Sequence, residues 1–596
     1  LIMNKPLAFE QRFALQEHGD LLLTYLKQLG VEYVFGLPGG AIEPLYNALA
    51  RSERYGGPKA MVARHESGAA FMADGYARNT GKLGVCCATT GPGATNLITG
   101  VASAYENNVP LLVITAQTSL SSFGSGAFQE SSCTGINTVA LFQHCSKYST
   151  LVSHAAQFER KLTTAIITAF AEPHGPVHLS IPVDVMREQH HSGRPEFNLP
   201  ALLRKPSLFD SDAVKELSKE IKKCHNPVFI IGDEAREAVG LILTLAMKIG
   251  AQLVVTPHGK GLVSPYHPLF RGVIGFSGHQ DARQLMSDPT VDKVFVIGAN
   301  LGEWASSGWD PVAQDQLVIH VEESDSNLTK TPMASLHVRG RLKTIFETLL
   351  AQLGDVSQSS EDTAVTDETA VKGNKKSFKR SFQLDDEEKY VSDEIPIKPQ
   401  RLMRELPRIF PAHTHYLADV GNSFSWATHY LHPYDRRVYG QRDARGGLFR
   451  ATLDFAAMGW AIGSAIGTAL ARPGEPVVCI TGDGSMLMNG QEITVAIEQK
   501  LPVVFVVLND SAYGMVKHGQ KLTGAEQIGT DLPKTDFAAF AGAMGVPSQI
   551  IYSADDLLAL DGQQICRRPG PTLLDVRIDP TETPPIGIRT EAIKQF

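Results

Sequence analysis

Cysteine is sparse in this chain and follows no pattern. The seven residues, Cys86, Cys87, Cys133, Cys145, Cys224, Cys479 and Cys566, form an odd set with no CxxC pair among 596 residues. That excludes a disulfide framework or a zinc-binding motif as the organising device. The compartment expected for such a chain is a reducing cytoplasm. A basic excess is also missing: 55 Lys and Arg stand against 63 Asp and Glu, for a net charge of −8. Nothing in that balance supplies a surface for tracking a nucleic-acid backbone, so no nucleic-acid partner is expected. No run approaches about 18 uninterrupted apolar residues, so no spanning helix and no membrane partner are expected. The opening Leu1-Ile2-Met3-Asn4-Lys5-Pro6 has no apolar stretch after its lysine, and no secretory signal is expected. Short-period repeats are absent as well.

What is present is a long, turn-rich chain with 53 Gly, 34 Pro and 43% hydrophobic residues. Its length suits three or four domains at roughly 150 residues each. Short apolar runs such as Tyr33-Val34-Phe35, Gly84 to Ala88 and Pro110 to Ile114 alternate with amphipathic helical stretches, as in βα units around a parallel sheet. A polar, proline-punctuated stretch from Pro195 to Pro206 closes this first series. A second series begins at Asn226 to Gly232 and continues through Gln252 to Val255 and Lys293 to Gly298. From Asp355 to Pro396 the composition turns to Ser, Thr, Asp, Glu and Lys, which predicts a mobile charged linker, because little apolar area is available to offset ordering. A third series has Val477 to Ile480 and Val503 to Leu508 as its strongest strands, both apolar on two faces. The predicted fold class is α/β, with three doubly wound parallel-sheet domains. Their predicted bounds are 10–190, 205–354 and 397–585, with the linker at 355–396.

The strongest chemical signal lies in the third series. Strand Val477 to Ile480 runs into Thr481-Gly482-Asp483-Gly484-Ser485, and the next strong strand ends at Asn509-Asp510-Ser511-Ala512-Tyr513-Gly514-Met515. Two strands joined by one helix set these turns side by side at the carboxyl edge of a parallel sheet, where open α/β sheets place ligands. The glycines let backbone approach a diphosphate, and Asp483 and Asp510 offer hard oxygen ligands to a magnesium ion bridging it. A backbone carbonyl near Ala512 completes the protein's share of the coordination.

This Gly-Asp-Gly turn, helix, strand and Asn-Asp turn resembles the signature of the thiamine-diphosphate (ThDP) enzymes. The resemblance extends over nearly the whole chain. It makes the first domain pyrimidine-binding and the third diphosphate- and Mg2+-binding. Arg64-His65-Glu66-Ser67-Gly68-Ala69 matches the segment whose glutamate meets the cofactor's aminopyrimidine ring, so Glu66 is the implied catalytic carboxyl, holding the proton that the ring nitrogen must exchange. Gly36-Leu37-Pro38-Gly39-Gly40-Ala41 is similar to the first-domain glycine loop, which makes Gly39 and Gly40 cofactor contacts. Thr90-Gly91-Pro92-Gly93-Ala94-Thr95-Asn96 is similar to the GPGxxN turn. In the third domain, Asp419-Val420-Gly421-Asn422-Ser423 matches a diphosphate-contacting turn. Met458 stands where the family has the bulky residue that bends the cofactor. Gly482, Gly484, Ser485, Tyr513, Gly514 and Met515 complete the implied cofactor contacts.

Among ThDP enzymes the resemblance is to acetolactate and acetohydroxyacid synthases. It rests on the RHExGA and GPGATN segments, Ala127-Phe128-Gln129-Glu130 and Cys145-Ser146-Lys147-Tyr148. It implies that Gln129 and Lys147 position substrate. The implied activity is decarboxylation of a 2-oxo acid, most simply pyruvate, and attachment of the two-carbon unit to an acceptor carbonyl. Several departures bear on subtype. Asp510 replaces an asparagine of the anabolic synthases, as in the catabolic, FAD-independent ones. Their acceptor-selecting tryptophan has Gly519 in its place, which opens the way to a larger or different acceptor. Gly298-Ala299-Asn300-Leu301-Gly302-Glu303-Trp304 replaces the RFDDR segment of the flavin-containing synthases, so no functional FAD is expected. Thr256-Pro257-His258-Gly259-Lys260-Gly261 is similar to non-flavin decarboxylases and lyases and reads as a structural turn. A non-oxidative decarboxylase, a flavin-linked oxidase and a catalytically silent homologue are the competing readings. The implied assembly is a homodimer with active sites at its interface, paired into a homotetramer.

Overall fold

The computed structural model describes residues 17–190, 195–306, 317–354, 380–433 and 448–586. Among the described residues, three six-stranded, all-parallel sheets follow one another along the chain. The first comprises β1 (Tyr33–Gly36), β2 (Lys59–Val62), β3 (Gly84–Ala88), β4 (Leu111–Gln117), β5 (Tyr148–Leu151) and β6 (Val177–Pro182), in the order β2-β1-β3-β4-β6-β5. The second comprises β7 (Pro227–Ile231), β8 (Gln252–Val255), β9 (Phe270–Val273), β10 (Lys293–Ile297), β11 (Val318–Glu322) and β12 (Leu336–Arg339), ordered β12-β11-β10-β7-β8-β9. The third comprises β13 (His415–Ala418), β14 (Phe449–Ala451), β15 (Val477–Gly482), β16 (Val503–Asn509), β17 (Ser548–Ile551) and β18 (Thr572–Arg577), ordered β14-β13-β15-β16-β18-β17. The first and third sheets therefore share one topology, and the second has the Rossmann order. Central strands such as β16 are buried along their whole length, which is why they read as unbroken apolar runs.

Close packing of small residues joins the first and third domains. Helix α1 (Glu66–Thr80) crosses α3 (Trp460–Ala471), with α2 (Asn422–Tyr430) lying between them in sequence. A Cβ on Gly75 would collide with the backbone oxygen of Ser464, and one on Gly467 with that of Met72, so glycine is required where the two backbones approach. Polar groups seal the same contact. Trp460 Nε1 donates to Asp74 Oδ1 at 3.1 Å, Asn79 Nδ2 to Thr468 Oγ1 at 2.8 Å, and Arg78 pairs with the fully buried Asp74 at 2.7 Å.

The expected linker divides in two. Residues 355–379 lie outside the described residues. Residues 380–396 are packed, because Phe382 and Leu384 are buried in the core shared by the central and third domains, with Phe382 edge-on to Phe270 at 5.5 Å. Its backbone is bonded as well: Asp385 N donates to His429 Nε2 and Tyr430 Oη donates to the Asp385 carbonyl, both at 3.0 Å. Two large apolar side chains in a polar stretch are enough to seat it. The crossover between β15 and β16 also departs from the single helix expected. It is α4 (Asp483–Asn489), a 3-10 turn over Gly490–Glu492, and a second helix, Ile493–Glu498.

Candidate active site

A cavity of about 390 Å³ opens at the carboxyl ends of β13, β15 and β16. It sits where the strand order of the third sheet reverses, between β13 and β15. Val420, Gly421, Asn422, Ser423, Met458, Gly482, Asp483, Gly484, Ser485, Asp510, Ala512, Tyr513, Gly514 and Met515 all line it. Three helices begin there, α2, α4 and α5 (Gly514–Thr523), and in none does the residue preceding the helix cap it with a side chain, although Asp483 accepts from Gly484 N within the first turn of α4. Uncapped helix starts present backbone N–H groups and the positive end of the helix dipole, which is a setting for an anion.

The two carboxylates face the opposite demand. Burial pushes Asp483 up to about 6, although Gly484 N at 2.7 Å and Ala512 N at 3.3 Å donate to it. Burial, then the neighbouring Asp483 charge, pushes Asp510 up to about 7. Two acidic groups held close at such cost suit a divalent cation, which would take the place of their protons. Among the described residues no cluster of three or more His, Cys, Asp or Glu could hold a metal by itself. A cation between Asp483 and Asp510 would therefore need oxygen ligands from the backbone and from a bound anion. Asn422 has a buried Oδ1 with no hydrogen-bond partner, another sign that a ligand group belongs here. Glycine at 484 is dictated by Tyr513 and Met458: a Cβ would lie 2.8 Å from Tyr513 Cε1 and 3.2 Å from Met458 Cε. At 514 a Cβ would meet Asn422 Nδ2 and Asp510 Oδ2. Asp419, fully buried, ties the floor together by accepting from Thr481 Oγ1 at 2.9 Å and from Gly459 N at 3.0 Å, next to Met458.

The first-domain residues gather elsewhere. Glu66 opens α1 and is 9% exposed, with Asn96 Nδ2 donating to its Oε2 at 3.0 Å. Gly93 stands 3.3 Å from Glu66 Oε1 and 2.9 Å from Thr89, measured from a Cβ built on the glycine, and Gly39 meets the same Thr89 at 2.6 Å. Gly40 borders open space. Gln129, at φ +57°, lies against Gly91, and its carbonyl accepts from Thr90 Oγ1 at 2.8 Å. Gly39, Glu66, Gly93 and Gln129 thus form a second cluster, at the carboxyl ends of β1 and β3, and none of them lines the cavity of the same chain. Lys147 is not brought to either cluster. Its Nζ donates to the carbonyls of Ala171 and Pro173, which makes it a clasp on the loop before β6.

Sequence reasoning missed Glu492. Its carboxylate is fully buried and accepts from His65 N at 2.8 Å and Arg64 N at 3.1 Å, fixing the chain as it enters α1 at Glu66. Burial, with the Glu66 charge among the further causes, pushes it up to about 7. No local signal marks a glutamate whose partners are backbone groups more than 400 residues away. Phe276 and Trp304 of the central domain, which also line the cavity, were missed for the same reason.

Comparison with known proteins points the same way. Residues 16–137 match the thiamine pyrophosphate enzyme N-terminal TPP binding domain, 214–349 the central domain, and 419–576 the C-terminal TPP binding domain. The chain is 30% identical over 587 residues to the acetolactate synthase isozyme 2 large subunit of Escherichia coli, covering 96% of this chain and 98% of that protein. It is 31% identical over 582 residues to the acetolactate synthase of Arthrospira platensis, covering 94% and 93%. It is 30% identical over 568 residues to the acetolactate synthase large subunit of Lactococcus lactis, covering 94% and 92%. Among the described residues no helix is long and apolar enough to cross a membrane.

Proposed function

From the premise that this chain belongs to the thiamine pyrophosphate enzymes, as an acetolactate synthase-like member, we propose that it is a Mg2+-dependent carboligase using pyruvate as donor. The observation that carries this is the cavity in which three helix starts and two buried aspartates, both raised from their ordinary values, converge. That donor set fits a diphosphate and its magnesium ion. Asp483, Asp510 and a backbone carbonyl near Ala512 would hold the metal. Gly421, Asn422, Ser423, Gly482, Gly484, Ser485 and Gly514 would receive the diphosphate, and Met458, Tyr513 and Met515 the body of the cofactor. When bound, ThDP supplies the electron sink for the carbon left by loss of CO2.

The remaining work falls to side chains. Glu66 holds and returns a proton from a site that Asn96 and the Glu492-anchored chain keep in one geometry. Gln129, against Gly91 in the turn that leads to Asn96, orients the donor. Glu66 does not line its own chain's cavity, so we assign the two clusters of one working site to different chains of a homodimer, with two dimers forming a tetramer. Exposed apolar side chains flank both: Phe128 at 86% next to Gln129, and Leu487, Met488 and Val516 at 47–54% around the cavity. A second copy would cover them. Seven unpaired cysteines fit a reducing cytoplasm.

The test is turnover of pyruvate by purified protein with Mg2+, with and without added ThDP, products being identified by mass. ThDP-dependent CO2 release with a ligated hydroxyketone product is expected. Acetaldehyde as the sole product would replace carboligase by decarboxylase. Cofactor binding without pyruvate consumption would reject the donor.

A further inference from the structure

The turn Thr256-Pro257-His258-Gly259-Lys260-Gly261 carries a buried amine that the reaction described above does not use, that of Lys260. Gly261, at φ +92°, presses this central-domain loop onto β14, where a Cβ would lie 2.9 Å from the Phe449 backbone nitrogen. Lys260 is thereby carried into the seam between the central and third domains, where it is 8% exposed. Its Nζ donates to the Leu431 carbonyl at 2.9 Å, at the end of α2, the helix whose first residues line the candidate active site. Burial lowers Lys260 to about 7, so that near neutral pH much of it is free amine, the nucleophilic form.

A second cavity, of about 20 Å³, lies against this amine. A single water needs ~10–15 Å³, so one small group fits and a 2-oxo acid does not. Lys260, His279 and His432 line it among apolar residues that include Val263, Phe270 and Phe449. His279 accepts from Val273 N and donates to the His429 carbonyl, both at 2.9 Å. His429 accepts from Asp385 N and donates to the Gly278 carbonyl, both at 3.0 Å. Backbone partners thus hold these two rings neutral. His432 differs: it is 4% exposed, and its Nε2 has no hydrogen-bond partner. A buried ring nitrogen left unpaired beside an amine with hydrogens to give marks the place of a further group. Arg380, whose own Nη1 is buried and unpartnered, adds its positive field to all three histidines, and Asp385 stands 3.9 Å from His429. In that field a negative charge at Lys260 is better placed than a positive one.

We propose that Lys260 is a carbamylation site for carbon dioxide, and that the carbamate ties the central domain to the end of α2. The amine lone pair forms the N–C bond, one C=O π pair moves onto oxygen, and the surplus proton on nitrogen passes to His432 Nε2. A carbamate then faces an imidazolium, and the remaining N–H still donates to the Leu431 carbonyl. Nothing is oxidised or reduced. After burial, the Lys260 charge is the largest cause that lowers His432. Turning that charge negative converts repulsion into attraction, which lets His432 hold the proton. The inference rests on the carboligase reading for its source of CO2 alone, and makes the enzyme responsive to its own product.

The experiment supplies 13C-labelled CO2 to the holoenzyme with Mg2+ and ThDP, traps carbamates by alkylation with triethyloxonium, and locates the label by mass spectrometry of the peptides. Saturable labelling of Lys260 is expected, with a melting temperature that rises with dissolved CO2 at constant pH and ionic strength. Lys260→Met, similar in length but without an amine, should lose both. His432→Leu should weaken CO2 binding by ~10-fold or more, the worth of one hydrogen bond to a charged group. The wild-type label decides the matter even where a variant fails to fold. Label confined to surface lysines or the amino terminus, with Lys260 unmodified, would overturn the proposal, as would a melting temperature indifferent to CO2. Because the CO2 is supplied, failure to release it from pyruvate would overturn the carboligase reading alone, and the label on Lys260 would still judge the site.

Discussion

Glu66→Gln is expected to lower pyruvate turnover by roughly a hundred- to ten-thousand-fold, the range for loss of a positioned acid–base group. Mg2+ and ThDP binding should persist, because the metal- and diphosphate-facing residues all lie in the other cluster. Glutamine preserves the hydrogen-bonding shape at the start of α1 but cannot exchange the proton. The surroundings support so narrow a lesion: Asn96 holds one carboxylate oxygen and Glu492 fixes the backbone just before it. Steady-state kinetics, paired with a titration of ThDP binding by fluorescence or thermal shift, checks both halves. Full turnover in the variant would remove Glu66 from the mechanism. Loss of cofactor binding along with turnover would make it a structural residue.

The second large effect concerns the metal pair. Asp483 and Asp510 sit at about 6 and about 7, against an ordinary 3.8. The folded, metal-free protein therefore holds these protons more tightly than the unfolded chain does. Between about pH 4 and pH 7 the unfolded state releases them first, so their contribution to stability falls as pH rises through that window. Mg2+ with ThDP relieves the burial of charge, so the thermal stabilisation from adding both should be larger at pH 7.5 than at pH 5.5. Asp510→Asn mimics the protonated state permanently. It should raise the stability of the metal-free protein at pH 7.5 by on the order of 2 kcal/mol, a gain that shrinks toward zero near pH 4. The same variant should still be stabilised by Mg2+ and ThDP, because an amide oxygen is also a hard donor, but that stabilisation should differ less between pH 5.5 and pH 7.5 than in the wild type. Thermal denaturation of both proteins across pH, with and without the two ligands, measures each quantity. A metal-free variant no more stable than wild type at pH 7.5, or one whose stabilisation by Mg2+ and ThDP depends on pH as steeply as the wild type's, would refute this account of the pair.

Much of this molecule is legible in its sequence because parallel strands buried on both faces must be written as apolar runs, as in Val503 to Leu508. Glycines also mark where backbone must come close, as at Gly482 and Gly484. The residues lining the third-domain cavity occur as short contiguous segments, so each segment can be read without knowing the fold. The remainder depends on contacts between distant segments. Glu492 looks like any helix glutamate until Arg64 and His65 are laid against it. His258 reads as part of a turn until Asp454, in another domain, is placed 2.9 Å from it. Lys147 shows the converse: a matching motif implied a role beside substrate, whereas the ammonium is spent on two backbone carbonyls. Phe382 and Leu384 likewise show that composition averaged over a charged stretch hides the two side chains that dock it.

The central claim is that a working site joins Glu66 of one chain to the Asp483 cavity of another. Mixing two inactive variants tests it most directly. Glu66→Gln and Asp483→Asn homodimers should each be nearly inactive with saturating Mg2+ and ThDP. Unfolded together and refolded, or co-expressed with two affinity tags and purified through both, they should yield a heterodimer with one doubly altered site and one intact site. Activity should return to about half the wild-type value per dimer, as expected when one of two equivalent sites survives. A doubly purified heterodimer as inactive as its parents would contradict the shared site and place both residues in a site built from one chain.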